Sequence, residues 1–410
     1  MASIVNDNGN NHSFNTAQNV TINNVVSGSI NALGEVDHYK ITFDGNGEVE
    51  FILTAPETAE YALTLYKSTN SSNALSYGSS DGNGHISLKY NVTAGTTYIV
   101  RITINGTNYN TNYALYSLRF NPTVATNIEL GITNGTEISY NTLTLSHIKT
   151  PSNAYAACTY TASNNNVSIN SGSITPRNDG VAFISVFDSC SGITDNKFVI
   201  INRLPSSHAI SIPTDRRCNW NQKHSGVTSI FGRKACTLVA GLDVANIYST
   251  NSSGYTPSDM NSSTYWDSID GYKWTIPGPG QIRSSYTFVN DSPSDVDESI
   301  KQEYILQGYI RFIKNEIYNG RPVIINLGPN SKNNHSVVAY KYMNTPQIST
   351  NENPTEMNKI MVYDPENGGN ESDIEGRNVT LWEAFRYNFI SNSANSWKTF
   401  AIWSLRPTSL

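Results

Sequence analysis

Between residues 37 and 121, apolar and polar positions alternate with a period of two in a series of short runs: DHYKITF, EVEFIL, YALTLYKS, GHISLKYNV, TTYIVRITI and YALYSLRF. That period sends successive side chains to opposite faces, so each run reads as a half-buried β-strand. Turn residues separate the runs: DGNG at 44–47 and again at 81–84, STNSSN at 68–73. Short strands at this spacing predict a β-sandwich over residues 1–121. Residues 122–202 predict a second β-sandwich, in which Asp179-Gly180 supplies the turn before the strand VAFISVF. From residue 203 the texture changes. NRLPSSHAISIP reads as a linker or lead-in strand. Helical stretches come next: ACTLVAGLDVANIYS, DESIKQEYILQGYIRFIKNEIYNG and TLWEAFRYNFI. The strands RPVIINLG, HSVVAYKYM, KIMVYDP and KTFAIWSL come among and after them, so residues 203–410 predict an α+β domain with one substantial core. The fold class is therefore multidomain, two all-β sandwiches followed by an α+β domain.

Composition narrows the setting. Charged residues are only 15% of the chain, and polarity comes from Asn, Ser, Thr and Tyr. That balance suits strands and turns on a secreted or cell-surface protein. The net charge is −6 with no basic block, which argues against nucleic acid as a partner. No run of 18 apolar residues occurs, so no membrane span is expected. The chain opens without a charged and then apolar leader, and we expect any signal peptide to have been removed. Four cysteines, Cys158, Cys190, Cys218 and Cys236, are too few for a disulfide scaffold. There is no CxxC, no HExxH and no Cys/His group at zinc spacing, so neither a metal nor a cofactor is expected. Cys158 and Cys190 lie on separate strands of the second β segment. Either they are bridged, closing a loop of about thirty residues for roughly 3 kcal/mol, or they are two buried thiols.

Candidate chemistry begins at Cys236, in GRKACTLVAGLDVANIY. An apolar stripe of Leu238, Val239, Leu242, Ala245 and Ile247 predicts a helix here and places Cys236 in its first turn. Unpaired N–H groups and partial positive charge at a helix start favour the thiolate, with Arg233 and Lys234 adding to this. A thiol nucleophile needs a base, and the base an orienting acceptor. NNHSVVAYKY places His335 at the mouth of an apolar strand, and KIMVYDPENGG ends a strand at Asp364. Adjacent antiparallel strands would bring the two together, the carboxylate fixing the ring tautomer. Gln222 is the candidate oxyanion donor, with the Cys236 N–H. His224 competes as base and Cys218 as nucleophile; neither has a strand or helix start to favour it. Tyr265, Trp266, Tyr272 and Trp274, in a loop-rich insertion, either line a substrate groove or pack the insertion down.

Three resemblances sharpen this. GEVDHYKITFDGNGEVEFIL followed by YALTLYKS resembles the bacterial pre-peptidase C-terminal domain, in its acidic–aromatic–Tyr strand start, Gly-bearing turn and later Leu-Tyr strand. This implies a secreted accessory sandwich that accompanies peptidases. CTYTASNNNVSINSGSITPRNDGVAFISVFDSCSG resembles the bacterial immunoglobulin-like group 2 domain. Residues 210–410 are similar to papain-like cysteine peptidases through a Gln before a Cys-headed helix, then NGRPVIINL, HSVVAYKY and VYDPENG. Within them the segment looks closest to the double-glycine-peptidase-like group. The resemblance implies a nucleophile at Cys236, a base at His335, an orienting carboxylate at Asp364 and an oxyanion donor at Gln222. One departure stands out: Thr237-Leu238 replaces the usual Gly-Pro, and WNQ with ACTLVAG looks more like the streptopain-type peptidases.

The function expected is a secreted or cell-surface cysteine peptidase, monomeric, acting on protein or peptide, with an extracellular or surface ligand for the N-terminal domain. Two alternatives use the same fold: a surface adhesin whose papain-like domain does not turn over, and an amidase or transferase using the same residues on another acceptor.

Overall fold

The computed structural model describes residues 3–32, 34–57, 60–80, 83–104, 115–213, 219–223, 227–228, 236–249, 253–261, 264, 266–267, 271–272, 281–286, 291–330, 333–343, 356–365, 377–381, 383–384 and 401–407. The protein is β-rich and built in several units.

The alternating runs pair as two five-stranded sheets. One has the order Ser3–Asn6, Asn24–Gly28, Tyr116–Pro122, Gly47–Thr54, His85–Val92. The other runs Gln18–Val20, Val36–Thr42, Thr97–Ile104, Tyr61–Lys67, Ala74–Ser79. Their inner faces share one core, in which Val49, Phe51 and Leu53 alternate along one strand and meet Tyr39, Ile41, Leu63, Leu65, Val100 and Ile102. Burying every second side chain is what the period-two pattern encodes.

The next strands form a four-stranded sheet (Thr136–Ile138, Thr194–Ile201, Gly180–Asp188, Cys158–Ala162), a three-stranded sheet (Leu143–Thr144, Ser173–Pro176, Val167–Asn170) and the pair Asn127–Leu130 with His147–Thr150. A second core fills this unit, with Ile128, Leu130, Ile174, Ile184, Val186 and Val199 among its members. Cys158 packs on this core, whereas Cys190 packs on that of the first sandwich. Both thiols are free, which settles the two readings of the pair against a bridge.

The two β units are joined by close backbone approach. Tyr155, from the second unit, is buried in the first core beside Phe43, and its hydroxyl donates to Asp44. Asn46 and Ala156 exchange two backbone hydrogen bonds of 3.1 and 3.0 Å, and the Glu48 N–H donates to Asn153 O at 2.7 Å. The DGNG at 44–47 is thus a docking surface as well as a turn. A Cβ at Gly47 would lie 2.2 Å from the Ala154 carbonyl oxygen, and its φ is +139°.

In the third unit a seven-stranded sheet has the order Gln281–Tyr286, Ala401–Pro407, Val323–Asn330, Asn333–Tyr342, Ile360–Asp364, Arg377–Thr380. His208–Ala209 pairs with Lys341 and Tyr342, so the stretch after residue 203 leads in as a strand. Two helices share a core with this sheet, α1 (Cys236–Tyr248) and α2 (Glu298–Tyr318). Every residue of α1 from Leu238 to Ile247 is buried, including Asp243 and Asn246. This is a helix covered on all sides, where the sequence pattern suggested a single apolar stripe. Its buried Asn246 is satisfied by the Tyr255 backbone, accepting from its N–H at 2.5 Å and donating to its O at 3.0 Å. The third helical stretch, 380–390, lies mostly outside the described residues. Its start carries a reciprocal cap: Thr380 Oγ1 accepts from the Glu383 N–H at 3.2 Å, and Glu383 Oε2 accepts from the Thr380 N–H at 2.8 Å.

Candidate active site

The site forms where the start of α1 meets the ends of two neighbouring strands. Asn333–Tyr342 and Ile360–Asp364 pair antiparallel, with Val338 opposite Tyr363. This puts His335, near the start of one strand, beside Asp364, at the end of the other. His335 Nε2 donates to Asp364 Oδ1 at 2.6 Å, and both side chains are buried. With Nε2 committed, Nδ1 is the ring nitrogen left to act on the Cys236 thiol, whose proton affinity His335 lowers.

Burial alone would push the Cys236 thiol up. The hydrogen bond and charge of His335, then a hydrogen bond from the Ser336 backbone N–H, outweigh it and hold the thiol below its ordinary value. Burial alone would lower His335. The hydrogen bonds to Asp364 and Cys236 and their charges overcome this and lift it to about 9. The two shifts together favour a thiolate–imidazolium pair near neutral pH. The other described cysteines move the opposite way. Burial, then the charge of Asp188, raises Cys158 to about 11 and raises Cys190 as well. Half-buried thiols with raised values stay protonated and unreactive near neutral pH.

Gln222 lies in a short loop fixed at two points. Its N–H donates to the carbonyl of Pro365, next to Asp364, at 2.8 Å. The Trp220 N–H donates to Asp243 Oδ1 on α1 at 3.1 Å. The loop therefore spans from the cysteine helix to the carboxylate strand, with the Gln222 side chain half-buried. Cys236 heads α1, so its N–H has no partner within the helix.

Several sequence candidates lie outside the described residues: Cys218, His224, Arg233, Lys234, Tyr265 and Trp274. Of Trp266 and Tyr272 only the backbone pairing with each other is described.

Three site residues escaped the sequence reading. Thr237 Oγ1 lies 3.9 Å from Cys236 Sγ and 2.8 Å from Ser336 Oγ, and Ser336 Oγ donates to Asn326 Oδ1 at 2.6 Å. Their roles had little sign in the sequence: Thr237 follows the cysteine and marks the departure from Gly-Pro, and Ser336 follows the histidine. Asn326 enters through strand register, directly opposite Ser336.

One group of described residues could hold a cation, in the first sandwich. His12, Glu35 and Asp37 each bring a ligand atom within 4.8 Å of the others. An imidazole and two carboxylates are donors that divalent metals accept. No motif spacing marked this set, because its members sit on separate segments that only the fold unites.

No protein-family profile and no curated protein matches the sequence. Partial likenesses exist among solved structures. The pre-peptidase C-terminal domain of collagenase from Bacillus anthracis is 19% identical with a TM-score of 0.22, covering 25% of this chain and 93% of that one. The Yersinia pseudotuberculosis-derived mitogen is 18% identical with a TM-score of 0.19, covering 24% of this chain and 82% of that one. The M60 catalytic domain with two CBM51 domains of Clostridium perfringens ZmpB is 10% identical with a TM-score of 0.20, covering 48% of this chain and 20% of that one. Likeness at these scores carries no weight for function.

Proposed function

We propose that the chain is a cysteine peptidase of the papain-like kind, secreted or at the cell surface, with β-sandwich units that accompany its catalytic unit. The carrying observation is the buried 2.6 Å hydrogen bond between His335 and Asp364 beside the start of α1, where Cys236 stands and His335 holds its thiol below the ordinary value. The Asn/Ser/Thr-rich, weakly charged composition supports an extracellular setting. Among the described residues no helix is long and apolar enough to cross a membrane.

In this reading His335 Nδ1 takes the Cys236 proton, and Asp364 stabilises the imidazolium. The thiolate attacks a peptide carbonyl carbon, and the oxyanion is met by the Cys236 N–H and the Gln222 amide. His335 then gives its proton to the leaving amine as the C–N bond breaks. A water, deprotonated by His335, releases the thioester as a carboxylic acid and restores the thiol.

The test is hydrolysis of a fluorescein-labelled unfolded protein by the full chain and by Cys236→Ala. We expect the variant to lose more than about a hundredfold in rate, with its circular dichroism unchanged. Iodoacetamide should label Cys236 before Cys158 and Cys190. Undiminished hydrolysis by Cys236→Ala would falsify the assignment.

A further inference from the structure

We propose that Thr237, held by Ser336 and Asn326, is a positioning residue that fixes where the Cys236 sulfur sits and what it is hydrogen-bonded to. This rests on the reading of Cys236 as the nucleophile. A glycine at this position could make none of these contacts.

The chain of hydroxyls has a direction. Ser336, fully buried, donates to Asn326 Oδ1 at 2.6 Å, so its oxygen must receive the Thr237 proton across 2.8 Å. Thr237 is then left with lone pairs facing Sγ at 3.9 Å. This arrangement puts an acceptor beside the sulfur while the neutral thiol keeps its proton for His335. Once His335 has taken that proton, the sulfur wants donors instead. Turning the Asn326 amide by half a rotation reverses the whole series. Nδ2 then donates to Ser336 Oγ, Ser336 to Thr237, and Thr237 to the thiolate. Only the amide oxygen and nitrogen of Asn326 exchange places, and the hydroxyl oxygens and the sulfur stay where they are. Thr237 can therefore serve both protonation states of the nucleophile without moving it. Its place between sulfur and strand also holds Sγ against His335, where a smaller residue would leave it free to turn away.

The experiment is the pH dependence of Cys236 alkylation by iodoacetamide in the full chain, read on the Cys236 peptide by mass spectrometry, beside kcat and KM. In Thr237→Val, which keeps the shape and loses the hydroxyl, the alkylation midpoint should rise by about half a unit to one unit. We expect kcat to fall about five- to tenfold with KM within twofold. Thr237→Ser should restore both. Ser336→Ala, which removes the hydroxyl between Thr237 and Asn326, should reproduce the Val variant and serves if that variant fails to fold. A depressed wild-type midpoint that neither variant moves overturns the positioning role alone. A wild-type midpoint near that of an ordinary thiol overturns the nucleophile reading and this inference with it.

Discussion

Tyr304 of α2 lies against Phe183 of the second β unit, their ring centroids 4.4 Å apart. Phe198 completes the cluster, its ring 5.8 Å from that of Tyr304 and 6.0 Å from that of Phe183, and Tyr304 is fully buried. Its hydroxyl donates to Asp291 at 2.5 Å, and Asn164 of the second unit donates to the same carboxylate at 2.8 Å. The third unit is thus plugged into its neighbour by one aromatic side chain with a satisfied polar end. Truncating it removes packing and leaves a cavity. We expect Tyr304→Ala to cost about 3–5 kcal/mol and to split calorimetric unfolding into separate transitions for the two units. Tyr304→Phe, which loses only the hydroxyl, should cost about 1 kcal/mol. A single transition unshifted in the Ala variant would show that the units do not depend on this contact.

A second joint makes a different prediction. Gly47 has φ +139° and almost touches the Ala154 carbonyl, so a methyl group there must push the first two units apart. Gly47→Ala should destabilise on the order of 3 kcal/mol, from backbone strain and overpacking together. Limited proteolysis should then cut in or near 153–157, where the wild-type chain is protected. Gly34→Ala is the control, because its φ of +79° brings strain and nothing lies within 4 Å. Equal losses in the two variants would mean that strain, and not the joint, is responsible.

These joints also show what could be read from the sequence and what could not. The strands of the first sandwich were legible because each buries one face, which period-two alternation reports directly. Cys236, His335 and Asp364 were legible because each stands at the edge of an element that its own neighbours announce: a helix start, a strand start, a strand end before proline. Tyr155 and Tyr304 were not. Both sit in ordinary apolar runs, and nothing local says that their partners belong to another unit. The Thr237–Ser336–Asn326 series was hidden for a related reason, since its hydrogen bonds run between α1 and two strands. The burial of α1 on all sides is equally a property of what surrounds it, not of its own pattern.

Asp37 gives a prediction on pH. It is fully buried, with one oxygen accepting from Tyr116 at 2.5 Å, and Tyr39 in turn donating to Tyr116. Burial lifts its carboxyl to about 7; the Tyr116 hydrogen bond opposes this, and the charges of Asp7 and Glu35 add to it. The folded state therefore holds this proton more tightly than the unfolded chain, whose value is 3.8. Its stabilising effect is complete below 3.8 and is lost as pH rises to about 7. Asp37→Asn, neutral throughout, should be the more stable at pH 7.5, by a few kcal/mol at most, on the order of the shift itself. The difference between variant and wild type should shrink toward pH 4. Parallel stability curves for the two proteins across this range would rule out Asp37 as the group responsible.

The last prediction concerns the charge behind the base. His335 is held at about 9 because Asp364 and Cys236 outweigh its burial. The rate profile of kcat/KM should therefore be bell-shaped, with an acid limb where the thiolate is protonated and an alkaline limb near 9 where the imidazolium is lost. The pair titrates as a unit, so each limb belongs to both groups. Folding stability follows the same proton. A value raised from 6.5 means that the ion pair's contribution is complete below 6.5 and fades as pH climbs through about 9. Asp364→Asn keeps an acceptor of the same size and removes the charge. The alkaline limb should then fall by about one to two units, and the acid limb should rise because a less basic His335 stabilises the thiolate less. The bell narrows from both sides, and the shift of the alkaline limb alone lowers activity at pH 8 by about two- to tenfold. A variant profile as wide as that of the wild type would mean that Asp364 orients the ring without setting its charge, leaving the raised proton affinity of His335 to Cys236 alone.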